Sequence, residues 1–219
     1  HEALGFYCSR RAAEVAAGIV VMTDSFCEAL PDSVDPARVR VIPTGIDLGL
    51  FVPEDPAVAR SRLGWADDRR HVLFPASPTR TEKRFWLARQ AFELLQQRSD
   101  EKLELHCLDG VVRTDVPTWF NASDVVMLTS THEGSPNAVK EALACNVPVV
   151  SVDVGDVSER IRGIEGCALV EPGPNALADA LTAALLVGRI EGRNAVEQLA
   201  IDLTAERIDA FYGEILAAA

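Results

Sequence analysis

The sequence has no apolar run long enough to cross a bilayer and no excess of positive charge. A membrane-spanning helix needs about 18 or more consecutive apolar residues, and none occurs among these 219 residues. Acidic residues number 33 against 21 Lys and Arg, which gives a formal net charge of −12. Because sequence-independent binding to nucleic acid depends on Lys and Arg neutralising phosphates, this balance excludes a bulk nucleic-acid binder. Any phosphate ligand must be held by a few local cations.

Paired cysteines and metal-ligand spacings are also missing. The five cysteines are widely spaced and form no C-x-x-C pair. No histidine cluster lies beside them at the spacing of a metal site. We therefore expect reduced, mostly buried thiols, no resident metal and no cofactor. There is no secretory signal, so we expect a cytosolic chain, with peripheral contact at the inner face of the membrane left open.

The order of apolar segments predicts an α/β fold. Apolar residues make up 48% of the chain and charged residues 25%, close to ordinary globular usage. Beyond residue 46, candidate strands alternate with candidate helices: strands 71–76, 103–108, 124–129 and 148–154, and helices 85–97, 136–146 and 176–186. Such alternation implies right-handed crossovers and a mostly parallel sheet. We predict a doubly wound, Rossmann-like domain.

A stretch rich in turn residues divides the chain near residue 46. Residues 1–45 contain an amphipathic helix, a short helix opening at Asp24, and two short candidate strands, 19–22 and 39–42. Two strands this short do not make a domain alone, so we expect 1–45 to be the remnant of a second Rossmann-like domain. Residues 46–203 would form the ligand-binding domain. Residues 204–219 would form an amphipathic C-terminal helix that packs on a partner surface.

The loop after the strand that ends near Thr129 holds the most specific residues. Ligands of doubly wound sheets bind at the carboxyl ends of the strands. Ser135 is a suitable N-cap and Pro136 a suitable first helical residue. The N–H groups at this helix start, with the helix dipole, would form an anion site for a phosphate or diphosphate. Gly134 allows the backbone to approach a ligand closely. Asn137 is the last of the four residues, 134–137, that we expect to bind the ligand. The alternative is a plain capped helix.

Two glutamates flank this helix start. Glu141 has no cation among its helical neighbours three and four residues away, which are Asn137, Ala138, Ala144 and Cys145. A carboxylate among small, apolar residues is costly to bury unless hydrogen bonds are donated to it, and a ribose diol can supply them. Glu133, in the loop before the helix, can accept from another hydroxyl pair. The alternative is that one of the two is solvated at the surface.

A second loop places cations at a strand end in an otherwise acidic chain. Arg80 and Lys83 follow the strand 71–76 and precede the helix 85–97. Such cations can neutralise a diphosphate and stabilise it as a leaving group, although charged loops are commonly just solvated. Among weaker candidates, His132 is a proton carrier or a bystander. Asp156 is a metal ligand or, in preference, a helix cap, and His106 belongs to the core.

These residues carry a resemblance to the family-four glycosyltransferases. Members of that family have a glutamate, seven residues and a second glutamate, and the match here is Glu133-Gly134-Ser135-Pro136, Glu141-Ala142-Leu143-Ala144 and Pro148-Val149-Val150. The likeness runs from about Gly18 to the end, and residues 41–47 resemble the family's interdomain stretch. Residues 77–83 and 133–154 are similar to those of bacterial cell-envelope or exopolysaccharide members.

The resemblance implies two Rossmann-like domains with a cleft, in which the C-terminal domain binds a UDP- or GDP-sugar and the N-terminal domain binds a glycan or lipid-linked acceptor. It assigns the donor sugar to Glu133, the ribose to Glu141, the diphosphate to the amides of 134–137, and the phosphates to Lys83. The family's arginine five residues before that lysine is Pro78 here, so Arg80 would have to substitute. Asn146 stands where the family has glycine, which leaves the local helix end in question.

Three functions remain open at this point. The first is a retaining hexosyltransferase, in which positioning and leaving-group stabilisation act without a dedicated metal. The second is a non-catalytic nucleotide-sugar-binding module. The third is a sugar-nucleotide epimerase of similar architecture.

Overall fold

The structure is a computed structural model that describes residues 2–218, with side chains described for residues 7–217. The chain divides into two compact units. One contains the residues before Ile46 together with those after Gln198, and the other is Ile46–Gln198. Within the residues described, no helix has the length and apolar character that a membrane crossing requires.

The smaller unit combines the start and the end of the chain. Its elements are α1 (Glu2–Val15), β1 (Ile19–Val21), α2 (Asp24–Glu28), β2 (Val39–Val41) and α9 (Ile201–Ala218). The two strands pair in parallel, with Ile19 opposite Val39. Helix α9 begins at Ile201, three residues before the predicted start, and buries Phe211. Arg40 lies over the Phe211 ring at 4.9 Å and binds Glu214 at 2.8 Å, so α9 packs against this strand pair.

The larger unit is built around one parallel sheet. Its elements are α3 (Pro56–Leu63), β3 (Arg70–Phe74), α4 (Phe85–Arg98), β4 (Leu103–Cys107), α5 (Val116–Ala122), β5 (Val125–Leu128), α6 (Asn137–Ala144), β6 (Val149–Val152), α7 (Val157–Ile161), β7 (Ala168–Val170) and α8 (Pro174–Val187). The strand order is β4-β3-β5-β6-β7, and every pair is parallel. The predicted α/β class is confirmed. The order reverses between β3 and β5, which makes their carboxyl ends the topological switch point.

Successive side chains of β3 point to opposite faces of the sheet, and a different layer of helices packs on each face. Val72 and Phe74 enter an apolar cluster with α4 and α8, in which Leu87, Leu95, Leu177 and Leu181 are buried. His71 and Leu73 occupy the opposite face, on which α5 packs against β3 and α3 against α5. Strands β5 and β6 are buried at every position, as their continuous apolar runs predicted.

Three elements of the larger unit were missed by the sequence prediction: α3, α5 and β7. All are short, and α3 begins inside the stretch interpreted as a linker. Pro56 occupies its first turn, and the Asp55 carboxylate accepts from the Ala57 amide at 2.8 Å, so these turn residues are a helix cap. The expectation of mostly buried thiols was wrong, because among the five free cysteines only Cys145 is buried.

The helix end at Asn146 does not need glycine. Asn146 adopts the left-handed region with φ of 57° directly after α6, a conformation that asparagine tolerates better than most residues. Its side-chain oxygen accepts from the Arg193 amide at 2.9 Å, and its carbonyl accepts from the Ile190 amide at 3.2 Å. These two bonds fix the turn that leads from α6 into β6.

Candidate functional site

The two loops singled out from the sequence meet at the switch point. The Thr131 amide donates to the Glu82 carbonyl at 2.8 Å, and the Thr129 hydroxyl donates to the Lys83 carbonyl at 2.7 Å. One loop follows β3 and the other follows β5, which are adjacent strands. The sheet therefore joins into one site two segments that lie about fifty residues apart in the chain.

Arg84 holds these loops together and was not recognised in the sequence. Its backbone takes the left-handed region with φ of 51° at the start of α4. Its guanidinium donates to the Thr129 carbonyl at 2.5 Å and to the Ser130 carbonyl at 2.9 Å. Only the position of this cation beside Lys83 could have indicated it, because the bonds end on backbone atoms.

Lys83 and Glu133 form an ion pair at the centre of the site. The Lys83 ammonium contacts Glu133 Oε1, and their side chains are only 16% and 15% exposed. The Ser130 hydroxyl donates to the same oxygen at 2.6 Å. Both hydrogen bonds described for this carboxylate end on Oε1, so Oε2 is the oxygen available to a ligand hydroxyl. The predicted proximity of one cation and one carboxylate is present.

The loop before α6 is held in place by hydrogen bonds to the turn after β6. The Ser135 hydroxyl donates to the buried Asp156 carboxylate at 2.7 Å, and the Asp156 amide donates to the Gly134 carbonyl at 3.1 Å. Helix α6 starts at Asn137 with Pro136 as its N-cap, one residue later than predicted. Asp156 occupies the predicted N-cap position of α7, but its side chain accepts no bond from the first amides of that helix and instead binds Ser135 and Arg160.

Glu141 lies on α6 with its side chain only 7% exposed. No cation lies three or four residues away in its own helix, as expected, but Arg113 from the segment after β4 donates to Glu141 Oε1 at 2.8 Å. Burial raises the pKa of Glu141, and the Arg113 guanidinium opposes that rise. The conclusion that a ligand alone satisfies this carboxylate is therefore corrected. Arg113 is 60% exposed and lies 5.2 Å from the Phe51 ring.

Lys140, which the sequence interpretation passed over, is fully buried beside Glu141 in α6. Its ammonium donates to the Asn137 side chain at 3.3 Å. Burial lowers the pKa of Lys140 to about 8, while Asp156 acts in the opposite direction. A lysine in a helix of small, apolar residues was the available signal. This cation adds positive charge close to the start of α6.

Arg80 and His132 lie at the margin of the site. Arg80 pairs with Glu82 at 2.6 Å, and its side chain is largely exposed. His132 is exposed and its Nδ1 lies 3.0 Å from the Thr131 hydroxyl. Neither residue contacts Glu133 or Glu141 among the bonds described, so Arg80 is not joined to the Lys83 pair.

The spacing of histidines in the sequence indicated no group of metal-ligand type, yet the sheet creates one. Pairing of β3 with β4 brings together ligand atoms of His71, Glu104 and His106, all within 4.8 Å of one another. The interpretation of His106 as a core residue was also wrong, because β4 is an edge strand and this side chain is partly exposed.

Comparison with known proteins identifies the family to which this chain belongs. A five-stranded parallel sheet with charged loops at its switch point defines an α/β domain of the nucleotide-binding type. The family described as "Glycosyl transferases group 1" matches residues 71–186. The chain belongs to this family, which confirms the resemblance carried by Glu133 and Glu141.

Curated relatives include two D-inositol 3-phosphate glycosyltransferases. That of Paenarthrobacter aurescens (strain TC1) is 28% identical over 202 residues, covering 78% of this chain and 50% of the relative. That of Mycobacterium bovis (strain BCG / Pasteur 1173P2) is 30% identical over 196 residues, covering 76% of this chain and 41% of the relative. The chain thus spans about half the length of the curated relatives it matches.

Solved structures share the fold. Sucrose-phosphate synthase from Thermosynechococcus elongatus superposes with a TM-score of 0.81 at 23% identity, covering 99% of this chain and 63% of that one. Anabaena HepE, solved in complex with UDP and glucose, superposes with a TM-score of 0.75 at 17% identity, covering 97% and 67%. At these identities the likeness establishes the Rossmann-like architecture alone.

Proposed function

We propose that this chain supplies the donor site of a retaining glycosyltransferase that moves a hexosyl group from a UDP- or GDP-sugar to a glycan or lipid-linked acceptor. The observation that carries the proposal is the Lys83–Glu133 pair at the switch point, beside the start of α6. A diphosphate needs a cation, a sugar needs a carboxylate, and this pair offers both from adjacent strand ends.

The pair exchanges partners when a donor binds. The diphosphate takes the Lys83 ammonium, and a sugar hydroxyl replaces it on Glu133. Ser130 holds the carboxylate in place during this exchange through its 2.6 Å hydrogen bond. As the glycosidic bond breaks, negative charge grows on the leaving nucleoside diphosphate, and a preorganised ammonium stabilises that charge more strongly than it binds the ground state.

The start of α6 contributes the second anion contact. The backbone N–H groups of Gly134, Ser135 and Asn137, with the helix dipole, are assigned to the diphosphate. The Ser135–Asp156 and Gly134–Asp156 hydrogen bonds hold this loop from below, so a ligand meets a fixed backbone. The buried Lys140 adds a positive charge behind the loop. These features provide leaving-group stabilisation without assigning a step to a metal.

Glu141 is assigned to the ribose. It is almost fully buried, and one oxygen is held by Arg113, whose positive charge opposes the rise in pKa that burial causes. The other oxygen can accept from a ribose hydroxyl. Support for uridine as the base comes from HepE, which was solved with UDP and with UDP-glucose. Guanosine is tested beside it.

The acceptor side of the proposal rests on the relatives. The named relatives are glycosyltransferases of about twice the length matched here. We assign residues 46–198 to the donor domain, and the acceptor site to a second domain to which residues 1–45 and helix α9 belong. A lipid-linked acceptor of cell-envelope or polysaccharide synthesis would bring the protein to a membrane surface by peripheral contact.

Calorimetry with a panel of UDP- and GDP-sugars, followed by transfer assays on the purified natural protein, tests the proposal. Glu141→Ala should weaken nucleotide binding by the worth of one or two charge-assisted hydrogen bonds, about 1.5–3 kcal/mol each. The matched control is Glu93→Ala, an exposed glutamate of α4 paired with Arg89. An NMR spectrum of the product reports whether the donor's anomeric configuration is retained.

Four outcomes would contradict the proposal or one of its assignments. If the protein has no affinity for any nucleoside diphosphate, the assignment of a donor site is wrong. Binding without transfer to any acceptor favours a non-catalytic binding module, and interconversion of the free sugar nucleotide favours an epimerase. If Glu141→Ala destabilises the fold while the folded variant keeps its nucleotide affinity, the Glu141 carboxylate has a structural role and does not bind the ribose.

A further inference from the structure

Three potential ligand side chains meet on the sheet face opposite the α4–α8 core. In the parallel pairing of β3 and β4, His71 lies opposite Glu104, and His106 follows two residues later on the same strand. Residues two apart on a strand point to the same face. His71 stands near the amino end of β3, whereas the loop carrying Lys83 follows the carboxyl end of that strand. The cluster is therefore separate from the donor site.

We propose that His71, Glu104 and His106 bind one divalent ion of the zinc type. His71 Nδ1 lies 2.9 Å from His106 Nε2, and Glu104 Oε2 lies 3.6 Å from each of these nitrogens. A point equidistant from the three atoms lies about 2.0 Å from each, the length of Zn–N and Zn–O bonds. Little movement is needed to create three bonds of this length, with the fourth position filled by water.

A backbone carbonyl fixes the tautomer of His71. His71 Nε2 lies 2.8 Å from the Ala66 carbonyl, and since a carbonyl can only accept, the proton sits on Nε2 and the lone pair on Nδ1. Donation of the distal N–H to a carbonyl is the usual arrangement of a metal-bound histidine. Without a metal, the His106 Nε2–H group donates a hydrogen bond to His71 Nδ1. On metal binding His106 adopts the other tautomer, with its proton on Nδ1, and no net proton is released.

Glu104 is the residue that distinguishes this cluster from a hydrogen-bonded histidine pair. Its Oε2 lies beyond hydrogen-bonding distance of both nitrogens, so the carboxylate is not present as their acceptor. Its Oε1 accepts from Arg69 at 2.7 Å, which directs Oε2 towards the imidazoles. Metal-bound carboxylates are commonly hydrogen-bonded in this way through their second oxygen.

The surroundings hold the rings in place and leave a path for an ion. Trp65 stacks on His106 with ring centroids 3.5 Å apart and an interplanar angle of 8°, and Trp119 meets Trp65 edge-on. The His71 amide donates to Asp124 at 2.7 Å, which fixes the strand beneath. Burial lowers the pKa of both imidazoles, that of His106 to about 4, so neutral ligands are present at neutral pH. Glu104 is 36% exposed and admits the ion from solvent.

The donor set selects among metals. Two imidazoles and one carboxylate suit Zn²⁺ and its neighbours among the first-row transition metals, whereas Ca²⁺ and Mg²⁺ prefer ligand sets made of oxygen. The site lies between β3 and the edge strand β4. An ion there would join the two strands, and its effect is expected in the stability of the domain.

Zinc and cobalt titrations of the chelator-treated natural protein test the inference. We expect one equivalent of Zn²⁺ to bind with micromolar or tighter affinity and to raise Tm, and Co²⁺ to give visible bands of a low-symmetry site. Loss of an outer partner of a metal site costs about 10–100-fold in affinity, so Glu104→Ala and His106→Asn, which remove direct ligands, should cost at least that much. The matched controls are Glu101→Ala and His132→Asn, at exposed positions outside the cluster.

The inference is overturned if Zn²⁺ shows no saturable binding, or if Glu104→Ala binds Zn²⁺ as the wild type does. Should His106→Asn fail to fold, Glu104→Ala decides the question, because this partly exposed side chain can be truncated without opening the core. Equal losses in the control variants would indicate non-specific surface binding and would also overturn the proposal.

Discussion

Gly155 packs its α-carbon directly against the carbonyl of Gly134. Gly155 has a φ of 56°, and a Cβ added there would overlap the Gly134 oxygen at less than any non-bonded distance. The amide of Asp156 donates to that same oxygen at 3.1 Å. The turn after β6 thus sets the position of the loop that precedes α6.

Replacement of Gly155 by alanine should therefore disturb the site as well as the fold. We expect a loss of about 2–4 kcal/mol in unfolding free energy, from the left-handed backbone and the steric overlap together, and weaker nucleotide-sugar binding. Gly64→Ala is the control, since Gly64 has a φ of 69° with no atom near an added Cβ. It should lose only about 1–2 kcal/mol. Urea denaturation and calorimetry measure both, and equal losses would disprove the contact's importance.

Lys83→Ala should lower turnover more than it weakens nucleoside-diphosphate binding. Because charge grows on the leaving group in the transition state, loss of one preorganised partner costs about 10²–10³ in rate. Glu133→Gln should also reduce turnover, through sugar positioning, while leaving affinity for the free nucleoside diphosphate nearly unchanged. Steady-state kinetics and calorimetry on both variants separate the two roles. Wild-type turnover in Lys83→Ala would assign the leaving-group role to Arg80 or to the backbone N–H groups of Ser135 and Asn137 instead.

Removal of Arg113 should move the pH dependence of nucleotide binding. Burial raises the pKa of Glu141 and Arg113 lowers it, so Arg113→Ala raises that pKa further. As the pH is lowered, the carboxylate of the variant then becomes protonated at a higher pH than that of the wild type. The variant should therefore lose nucleotide affinity at a higher pH as well. Since Arg113 is mostly exposed, the stability loss at neutral pH should be about 1 kcal/mol or less. Calorimetry across acidic pH measures the shift, and Arg89→Ala, from an exposed pair with Glu93, should show none.

Stability of the metal-free protein should depend on His106 below neutral pH. Burial lowers the pKa of His106 from its ordinary value of 6.5 to about 4 in the folded protein. Between these values the unfolded chain binds more protons, so stability rises with pH through this window and is lost as pH falls towards 4. The contribution is at most about 3 kcal/mol. Urea denaturation at several pH values should show a smaller slope in His106→Gln, and an identical slope would remove His106 as the cause.

The residues of the proposed donor site differ in how much of their arrangement could be predicted from the sequence. Glu133 and Lys83 were predicted at the ends of β5 and β3, and strand order brings those ends together. Glu141 was predicted to be buried, and it is. Its partner Arg113 was not foreseen, because it comes from 28 residues earlier and no local spacing signals such a pair. Arg84 was missed for a related reason, since its bonds end on the carbonyls of another loop.

The short elements show the same division. Strands β5 and β6 were predictable because continuous apolar runs are required where both faces of a strand are covered. Helix α3 was taken for a linker, because the proline and aspartate that begin it are also common turn residues. Only its packing against α5 distinguishes a capped helix from a turn.

The sequence by itself determined the parallel α/β class, a helix that begins close after Ser135, and the chemical types of the proposed donor-site residues, because periodicity, capping and burial cost are local properties. Only the tertiary structure decided which groups pair: the Lys83 ammonium with Glu133, the Arg113 guanidinium with Glu141, and the Ser135 hydroxyl with Asp156. It also decided that His71, Glu104 and His106 share one face. Such pairs join segments that are distant along the chain, and their proximity is set by strand order, which no spacing within one segment records.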